Sequence, residues 1–188
     1  MHYAGSDELE NFESLVTKFE RLVYTVCYRM TGNEQDARDM TQETFLKLYT
    51  AVNSNKAFWE NDKALASWLC KVASNRCVDE LRKRRGVVLS LDDSESGSGY
   101  YDKETISPDD SPERSAISKE ALENIQTAIN ALPPEQKQAV ILRDVRGYSY
   151  EEVAEMTNSS VNTVKSRIFR GREKLKILLR EYGEHYNT

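Results

Sequence analysis

Residues 149–178 form, in order, a short helical pattern, a polar break and a longer helical pattern. Ser149 and Glu152 form a capping box, which signals that a helix begins there. The run from Thr157 to Ser160 interrupts the helix, because side chains of these types hydrogen-bond to their own backbone in turns. From Val161 onward the apolar residues again follow helical spacing. The sequence therefore predicts a helix-turn-helix.

The second helix of this pair is strongly basic. Residues 160–180 contain seven Lys or Arg residues and a single acid, Glu173. A solvated surface helix is the alternative interpretation, but such a helix usually carries both signs of charge. A helix that enters the major groove of DNA needs a basic face with short polar side chains. The charge pattern therefore favours DNA binding.

The N-terminal part of the chain also follows helical spacing. Apolar stripes over residues 7–30, 33–52 and 65–85 predict three amphipathic helices, and Asn33 is the predicted cap of the second. Helices of this length can bury one another's stripes. Further apolar patterns precede the helix-turn-helix, so the predicted fold class is all-α, with an N-terminal helical bundle and a C-terminal helix-turn-helix domain.

A change of composition separates these two helical domains. Residues 87–115 lack sustained periodicity and are rich in Ser, Gly, Asp and Pro. Within them, residues 90–114 hold eight acids against two bases, so the net charge of −5 hides two basic helices elsewhere. We predict domains over 1–86 and 116–188, joined by a flexible acidic linker over 87–115.

Several function classes are disfavoured by the sequence. No apolar run approaches the roughly 18 residues that span a bilayer and no signal region is apparent, which predicts a cytoplasmic protein with no membrane insertion. Cys27, Cys70 and Cys77 occur without a CxxC pair, which predicts buried thiols rather than zinc ligands. No Gly-rich phosphate loop, paired His/acid cluster or nucleophile elbow is present. We therefore predict no enzyme, no metal and no cofactor.

Three segments resemble the sigma factors of bacterial RNA polymerase, specifically the compact extracytoplasmic-function group. Residues 33–52, NEQDARDMTQETFLKLYTAV, look like the polymerase-binding helix of that family. Residues 66–85, ASWLCKVASNRCVDELRKRR, look like its −10-element helix, and residues 131–175 look like its −35-element domain. The resemblance implies a protein that performs no bond chemistry, brings core polymerase to promoter DNA and traps the opened −10 strand.

The resemblance also implies protein partners. It places the coiled-coil of the largest polymerase subunit on one face of the second helix, formed by Asp36, Asp39, Gln42 and Glu43. Stabilisation of the helix dipole is the alternative role for the acids in the first turn. An anti-sigma factor, often membrane-bound, is the second implied partner, and the acidic linker is implied to follow the RNA exit path of the polymerase.

For the −10 strand, the resemblance implies a pocket beside the third helix. Asn75 is the best candidate for a base contact, because an amide can donate and accept hydrogen bonds in one place. Trp68 lies on the apolar stripe, and we expect it in the core. For the basic residues of the third helix, the alternative to phosphate contacts is a solvated basic tail without a role in DNA binding. The other −10 candidates are Phe58, Trp59, Ser67, Arg76, Arg82, Lys83, Arg84 and Arg85.

For the −35 duplex, the resemblance implies contacts from the basic helix and from the helix before the helix-turn-helix. Phe169 has two equal interpretations, packing against Met156 or apolar contact with thymine. The rival function is an autonomous helix-turn-helix regulator that binds a palindromic duplex operator. The −35 candidates are Arg143, Lys165, Ser166, Arg167, Phe169 and Arg170.

Overall fold

Helices account for the secondary structure of the described residues. The computed structural model describes the backbone of residues 4–52, 61–88 and 112–184, and the side chains of residues 12–51, 61–84 and 120–180. Seven α-helices and one π-helical turn occur in these ranges, and none of the residues within them forms a strand. The predicted all-α class is confirmed.

The N-terminal half is built from three helices, α1 (Ala4–Thr31), α2 (Glu34–Val52) and α3 (Asp62–Val88). Each packs against the other two, as their apolar stripes predict. Trp68 is half-buried and packs against this core, in agreement with its predicted place. The fully buried large side chains of this half are Val23, Val26, Met30, Leu48, Leu65 and Leu69.

Local signals set where these helices begin and end. Gly32 ends α1 with a φ of +69°, a backbone conformation that glycine adopts without steric cost. Asn33 caps α2, because its Oδ1 accepts a hydrogen bond from the backbone N–H of Asp36 at 3.0 Å. The third helix begins three residues before its predicted start, since Asn61 Oδ1 accepts from the backbone of Lys63 and of Ala64, both at 3.1 Å.

The C-terminal half contains α4 (Pro112–Asn130), α5 (Pro134–Val140), a π-helical turn (Ile141–Val145), α6 (Tyr150–Met156) and α7 (Val161–Glu184). Helices α6 and α7 are the predicted helix-turn-helix.

The capping box and the turn of the helix-turn-helix both have the predicted chemistry. Glu152 N–H donates to Ser149 Oγ at 3.1 Å, and Ser149 N–H donates to Glu152 Oε2 at 2.7 Å. Asn158 provides the turn with a φ of +48°, which Asn tolerates better than most residues.

The predicted linker is shortened at both ends by helix. Helix α3 continues to Val88 and α4 begins at Pro112. The remaining linker residues, 89–111, lie outside the described residues. The domain boundaries therefore stay a prediction.

One buried cluster passes through both halves of the chain. Helix α1 contacts α4, α5 and the π-helical turn, and α3 contacts α5. Helix α4 does not bury all the apolar positions of its pattern, since Leu122 is 51% and Ile125 38% exposed, while Gln126 is fully buried. The three cysteines are buried, as predicted. No helix in the described ranges is long and apolar enough to cross a membrane.

Candidate nucleic-acid interface

The basic helix α7 presents one exposed face. Lys165, Ser166, Phe169 and Arg170 are all exposed, and their spacing places them on the same side of the helix. Phe169 is 66% exposed, so the alternative in which it packs against Met156 is wrong. The face combines two cations, a hydroxyl and an apolar ring, which are the groups that contact phosphates, base edges and thymine methyls in a major groove.

The π-helical turn places Arg143 beside this face. Arg143 Nη1 donates to the backbone oxygen of Tyr148 at 2.7 Å, and its guanidinium lies 4.7 Å from the ring centroid of Tyr150. Lys165 Nζ lies 5.7 Å from the centroid of the same ring. Tyr150 therefore holds the cations of two elements close together.

Arg167 differs from its neighbours on α7. It is half-buried, and its Nη1 donates to Ser159 Oγ at 2.9 Å. This bond ties the long helix to the turn between α6 and α7. The structure therefore gives Arg167 a positioning contact within the helix-turn-helix and separates it from the exposed face.

Two polar residues at the start of α7 were missed by sequence reasoning. Asn162 and Thr163 are exposed in the first turn of this helix, where Ser160 Oγ accepts from Thr163 N–H at 3.1 Å. In helix-turn-helix proteins the N-terminal residues of the second helix reach the base edges. An Asn amide can make two bonds to adenine. The signal that could have identified Asn162 and Thr163 is their position in the first turn of the helix. The prediction relied on charge instead, and the charged residues lie further along the helix.

The proposed base-reading residue of the N-terminal half faces the C-terminal half. Asn75 Nδ2 donates to the backbone oxygen of Met156 at 3.1 Å, and Asn75 Oδ1 accepts from Gln138 Nε2 at 2.7 Å. Ser67 is half-buried on the same helix. The structure therefore holds the Asn75 amide in contacts within the chain.

Three cations of α3 pair with acids, so a freely solvated basic tail does not describe them. Arg76 pairs with Glu43, Arg82 Nε donates to Glu135 Oε1 at 2.7 Å, and Arg84 makes two bonds to Asp36 at 2.6 and 2.7 Å. The Arg82–Glu135 pair is open to solvent, and such pairs contribute only about 0–1 kcal/mol, whereas the Arg76–Glu43 pair is partly buried. Lys83 is exposed. The side chain of Arg85 and all of Phe58 and Trp59 lie outside the described residues.

The four candidate polymerase contacts lie together on α2. Asp36, Asp39, Gln42 and Glu43 line one shallow depression, which also includes Leu46, Met40, Glu80 and Arg84. The bond from Arg76 holds the pKa of the Glu43 carboxyl below its ordinary value, so Glu43 is ionised at neutral pH. Leu46 is 65% exposed. Sequence reasoning missed it, because Leu46 neither lies on the apolar stripe of α2 nor carries a charge. This surface suits a partner that is both basic and apolar.

No group of three or more His, Cys, Asp or Glu side chains within the described residues could hold a metal ion. The exposed basic face, the ion-paired cations and the acidic depression can bind charged macromolecules.

Two parts of the chain match known families. Residues 15–87 match the family described as Sigma-70 region 2, and residues 122–175 match the family described as Sigma-70, region 4.

Curated relatives cover most of the chain. The ECF RNA polymerase sigma factor SigW of Bacillus subtilis is 31% identical over 172 residues, which are 90% of this chain and 89% of that protein. The sigma-E factor of Escherichia coli is 31% identical over 166 residues, covering 87% of this chain and 84% of that protein. The sigma factor SigE of Mycolicibacterium smegmatis is 31% identical over 175 residues, and the chain spans 64% of its length.

Two solved structures share the fold. One is the sigma factor RpoE of Bartonella quintana in complex with the anti-sigma factor NepR, with a TM-score of 0.68 and 24% identity. That match covers 91% of this chain and 98% of RpoE. The other is CnrH in complex with the cytosolic domain of CnrY, with a TM-score of 0.58, 20% identity and coverage of 90% and 88%.

Proposed function

The chain belongs to the extracytoplasmic-function sigma factors of bacterial RNA polymerase, and we propose that its two halves divide promoter recognition between them. It binds core polymerase and directs promoter-specific initiation. Sigma factors are initiation factors, so this chain performs no catalytic step of its own. Its place of action is that of the polymerase, the cytoplasm.

The C-terminal half reads the −35 duplex through the exposed face of α7. The observation that carries this assignment is the joint exposure of Lys165, Ser166, Phe169 and Arg170 beside Arg143. Arg170 supplies the bidentate donor that guanine accepts, and Lys165 and Arg143 hold phosphates. Arg167 supports the turn through its bond to Ser159. Asn162 and Thr163 extend the reading surface toward the start of the helix.

The N-terminal half captures the opened −10 strand. Asn75 contacts an unstacked base through its amide, and Ser67 borders the pocket that Phe58 and Trp59 complete. The cations in the second half of α3 grip the DNA backbone without reading sequence. These cations are Arg76, Arg82, Lys83, Arg84 and Arg85.

The acidic depression on α2 binds the polymerase. Asp36, Asp39 and Glu43 supply charge that complements the basic coiled-coil of the largest subunit, Gln42 adds a neutral hydrogen-bonding group, and Leu46 adds apolar contact. An anti-sigma factor is the second protein partner, since sigma factors of the same fold form complexes with such inhibitors. Domains at 1–86 and 116–188 with an acidic linker between them would let the halves reach two promoter elements at once.

The rival function, an autonomous operator-binding regulator, is not favoured, because matches to two sigma regions occur in the family's order along the chain. Transcription by core polymerase on a promoter library, with and without the purified protein, tests the proposal. We expect transcripts that start from a small set of promoters sharing −35 and −10 elements. Equal start-site distributions with and without the protein would contradict it. So would specific duplex binding without affinity for core polymerase.

A further inference from the structure

Two acids of the polymerase-binding depression are bonded to arginines of α3. Asp36 accepts two hydrogen bonds from Arg84, at 2.6 Å from Nη1 and at 2.7 Å from Nη2. Glu43 accepts a hydrogen bond from Nε of Arg76. Both acids are candidates for the polymerase contact, and both arginines are candidates for the phosphates of the −10 strand. The same two ion pairs therefore join two proposed binding surfaces of the N-terminal half.

The Arg84 guanidinium is held by carboxylates on both of its edges. Asp36 takes the edge formed by Nη1 and Nη2, and Glu80 accepts from Nε at 3.3 Å. The side chain of Asp36 is only 19% exposed, and its bonds raise the pKa of Arg84. A guanidinium binds carboxylate and phosphate through the same forked pairs of N–H groups. A phosphate that binds Arg84 through two bonds therefore has to displace an acid.

Arg76 is held by a single acid in a pair that is partly buried. The bond between them lowers the pKa of Glu43 and raises the pKa of Arg76, so both groups are charged at neutral pH. Salt screens a partly buried pair less than it screens an exposed one. Phosphate and Glu43 therefore compete for the same guanidinium.

Asp39 has a different partner from the other two acids of the depression. It lines the same depression and is exposed, but its Oδ1 accepts a hydrogen bond from the neutral amide of Gln35 at 3.1 Å. Asp36 and Asp39 are thus two aspartates one turn apart on α2, of which the first holds an arginine and the second an amide. The release of an arginine can therefore be separated from a change of net charge at this surface.

The apolar core, and not these ion pairs, holds α2 against α3. Leu48 of α2 and Leu65 and Leu69 of α3 are fully buried in one cluster. Burial of such side chains contributes more stability than ion pairs that water can reach. The arginines and acids can therefore exchange partners while the helices that carry them stay packed.

We propose that the two ion pairs couple polymerase binding to capture of the −10 strand. The basic coiled-coil that takes Asp36 and Glu43 frees Arg84 and Arg76 for the phosphates of the strand. This inference rests on the proposed function, from which it takes both binding surfaces. The coupling is reciprocal by thermodynamic linkage, so a strand that takes the arginines leaves the acids to the polymerase. Asp39 supplies charge to the polymerase and releases no arginine.

Release of the arginines is tested first in the full chain without polymerase. Asp36→Asn and Asp39→Asn make the same substitution one turn apart on one helix, so they change the net charge equally. The probe is a fluorescent oligothymidylate, because phosphate contacts do not depend on sequence. Its affinity is measured by anisotropy from low to physiological salt. Circular dichroism and urea unfolding verify that both variants keep the fold.

We expect Asp36→Asn to raise the affinity about 2–5-fold, the range that a partly exposed ion pair permits. The plot of log association constant against log salt concentration should steepen by about 0.7, the value for one more phosphate on a single strand. Asp39→Asn should leave this slope unchanged. In an Arg84→Gln background, Asp36→Asn should no longer steepen it, because no arginine is left to release. Glu43→Gln should steepen the slope as Asp36→Asn does, through Arg76.

Core polymerase supplies the second measurement. At saturating polymerase, Asp36→Asn and the unmodified protein should bind a −10 oligonucleotide equally, because the polymerase already occupies Asp36. Equal slopes for the two aspartate variants, a gain that survives Arg84→Gln, or a gain that persists with polymerase would overturn the proposal. Failure of the proposed function shows instead as unselective transcription. In that case the oligothymidylate slopes still decide whether the acids withhold the arginines from phosphate.

Discussion

Gln138 and Asn75, 63 residues apart in the chain, are joined by a hydrogen bond of 2.7 Å from Nε2 to Oδ1. Gln138 is almost completely buried, and Asn75 is half-buried. One partner belongs to the helix proposed to read the −10 strand, and the other to the half proposed to read the −35 duplex. The bond therefore joins the two halves of the chain through one amide.

Asn75→Ala and Gln138→Leu break the same hydrogen bond but should differ in their effect on capture of the −10 strand. In the assembled holoenzyme, Asn75→Ala should weaken capture of the −10 strand by about 1–3 kcal/mol, the value of a base-specific contact. Gln138→Leu should leave capture of the −10 strand by the holoenzyme unchanged, because Gln138 is not among the proposed promoter contacts. Fluorescence anisotropy with a labelled −10 oligonucleotide measures both. If Asn75→Ala also lowered affinity for core polymerase, a folding role would be indicated instead.

Arg170→Ala should reduce −35 recognition at one base position. Arg170 is exposed on the face of α7, and loss of a bidentate contact to a base edge costs about 1–3 kcal/mol. Arg172→Ala is the matched control, because Arg172 lies two residues further on and pairs with Asp144 at 2.5 Å. Transcription from −35 variants should show relaxed preference for Arg170→Ala alone. An unchanged preference would remove Arg170 from the reading surface.

Leu48→Ala and Leu46→Ala separate stability from partner binding on one helix. Leu48 is fully buried, so its truncation should destabilise the protein by about 2–5 kcal/mol in urea unfolding. Leu46 is 65% exposed, and its truncation should change stability by about 0.5 kcal/mol or less. Leu46→Ala should instead weaken binding to core polymerase in a pull-down titration. Equal polymerase affinity of the two variants and the unmodified protein would exclude Leu46 from that surface.

Glu152 should contribute a measurable pH dependence to stability. The backbone N–H of Ser149 holds the pKa of Glu152 below its ordinary value of 4.5. Because the folded pKa is depressed, the stabilisation is complete above the unfolded value and is lost as pH falls through the folded one. Glu152→Gln should lower stability near neutral pH and flatten its decline below about pH 4.5. Thermal unfolding from pH 7 to pH 3 measures this, and parallel curves for the two proteins would refute it.

Much of the helical architecture could be predicted from short-range patterns. The capping box at Ser149, the cap at Asn33 and the turn before Val161 all depend on residues a few positions apart. The charge of α7 depends only on its own sequence, which is why the basic face was also predictable. The shortened linker is the main difference, because α3 continues to Val88 and α4 begins at Pro112, both within the segment whose composition predicted a linker.

The sequence alone was enough to establish the helices, their caps and the positions of the two basic helices, because backbone hydrogen bonding and side-chain spacing are local properties. Its motifs were enough to indicate the family of the chain. The packing of distant helices was needed to establish that Gln126 and Gln138 are buried while Leu122 and Ile125 are exposed. Helical periodicity identifies an apolar stripe, but it does not reveal which helix from a distant part of the chain will cover a polar position. A polar side chain is buried where such a helix supplies its hydrogen-bond partner, and for Asn75 that partner lies in the other half.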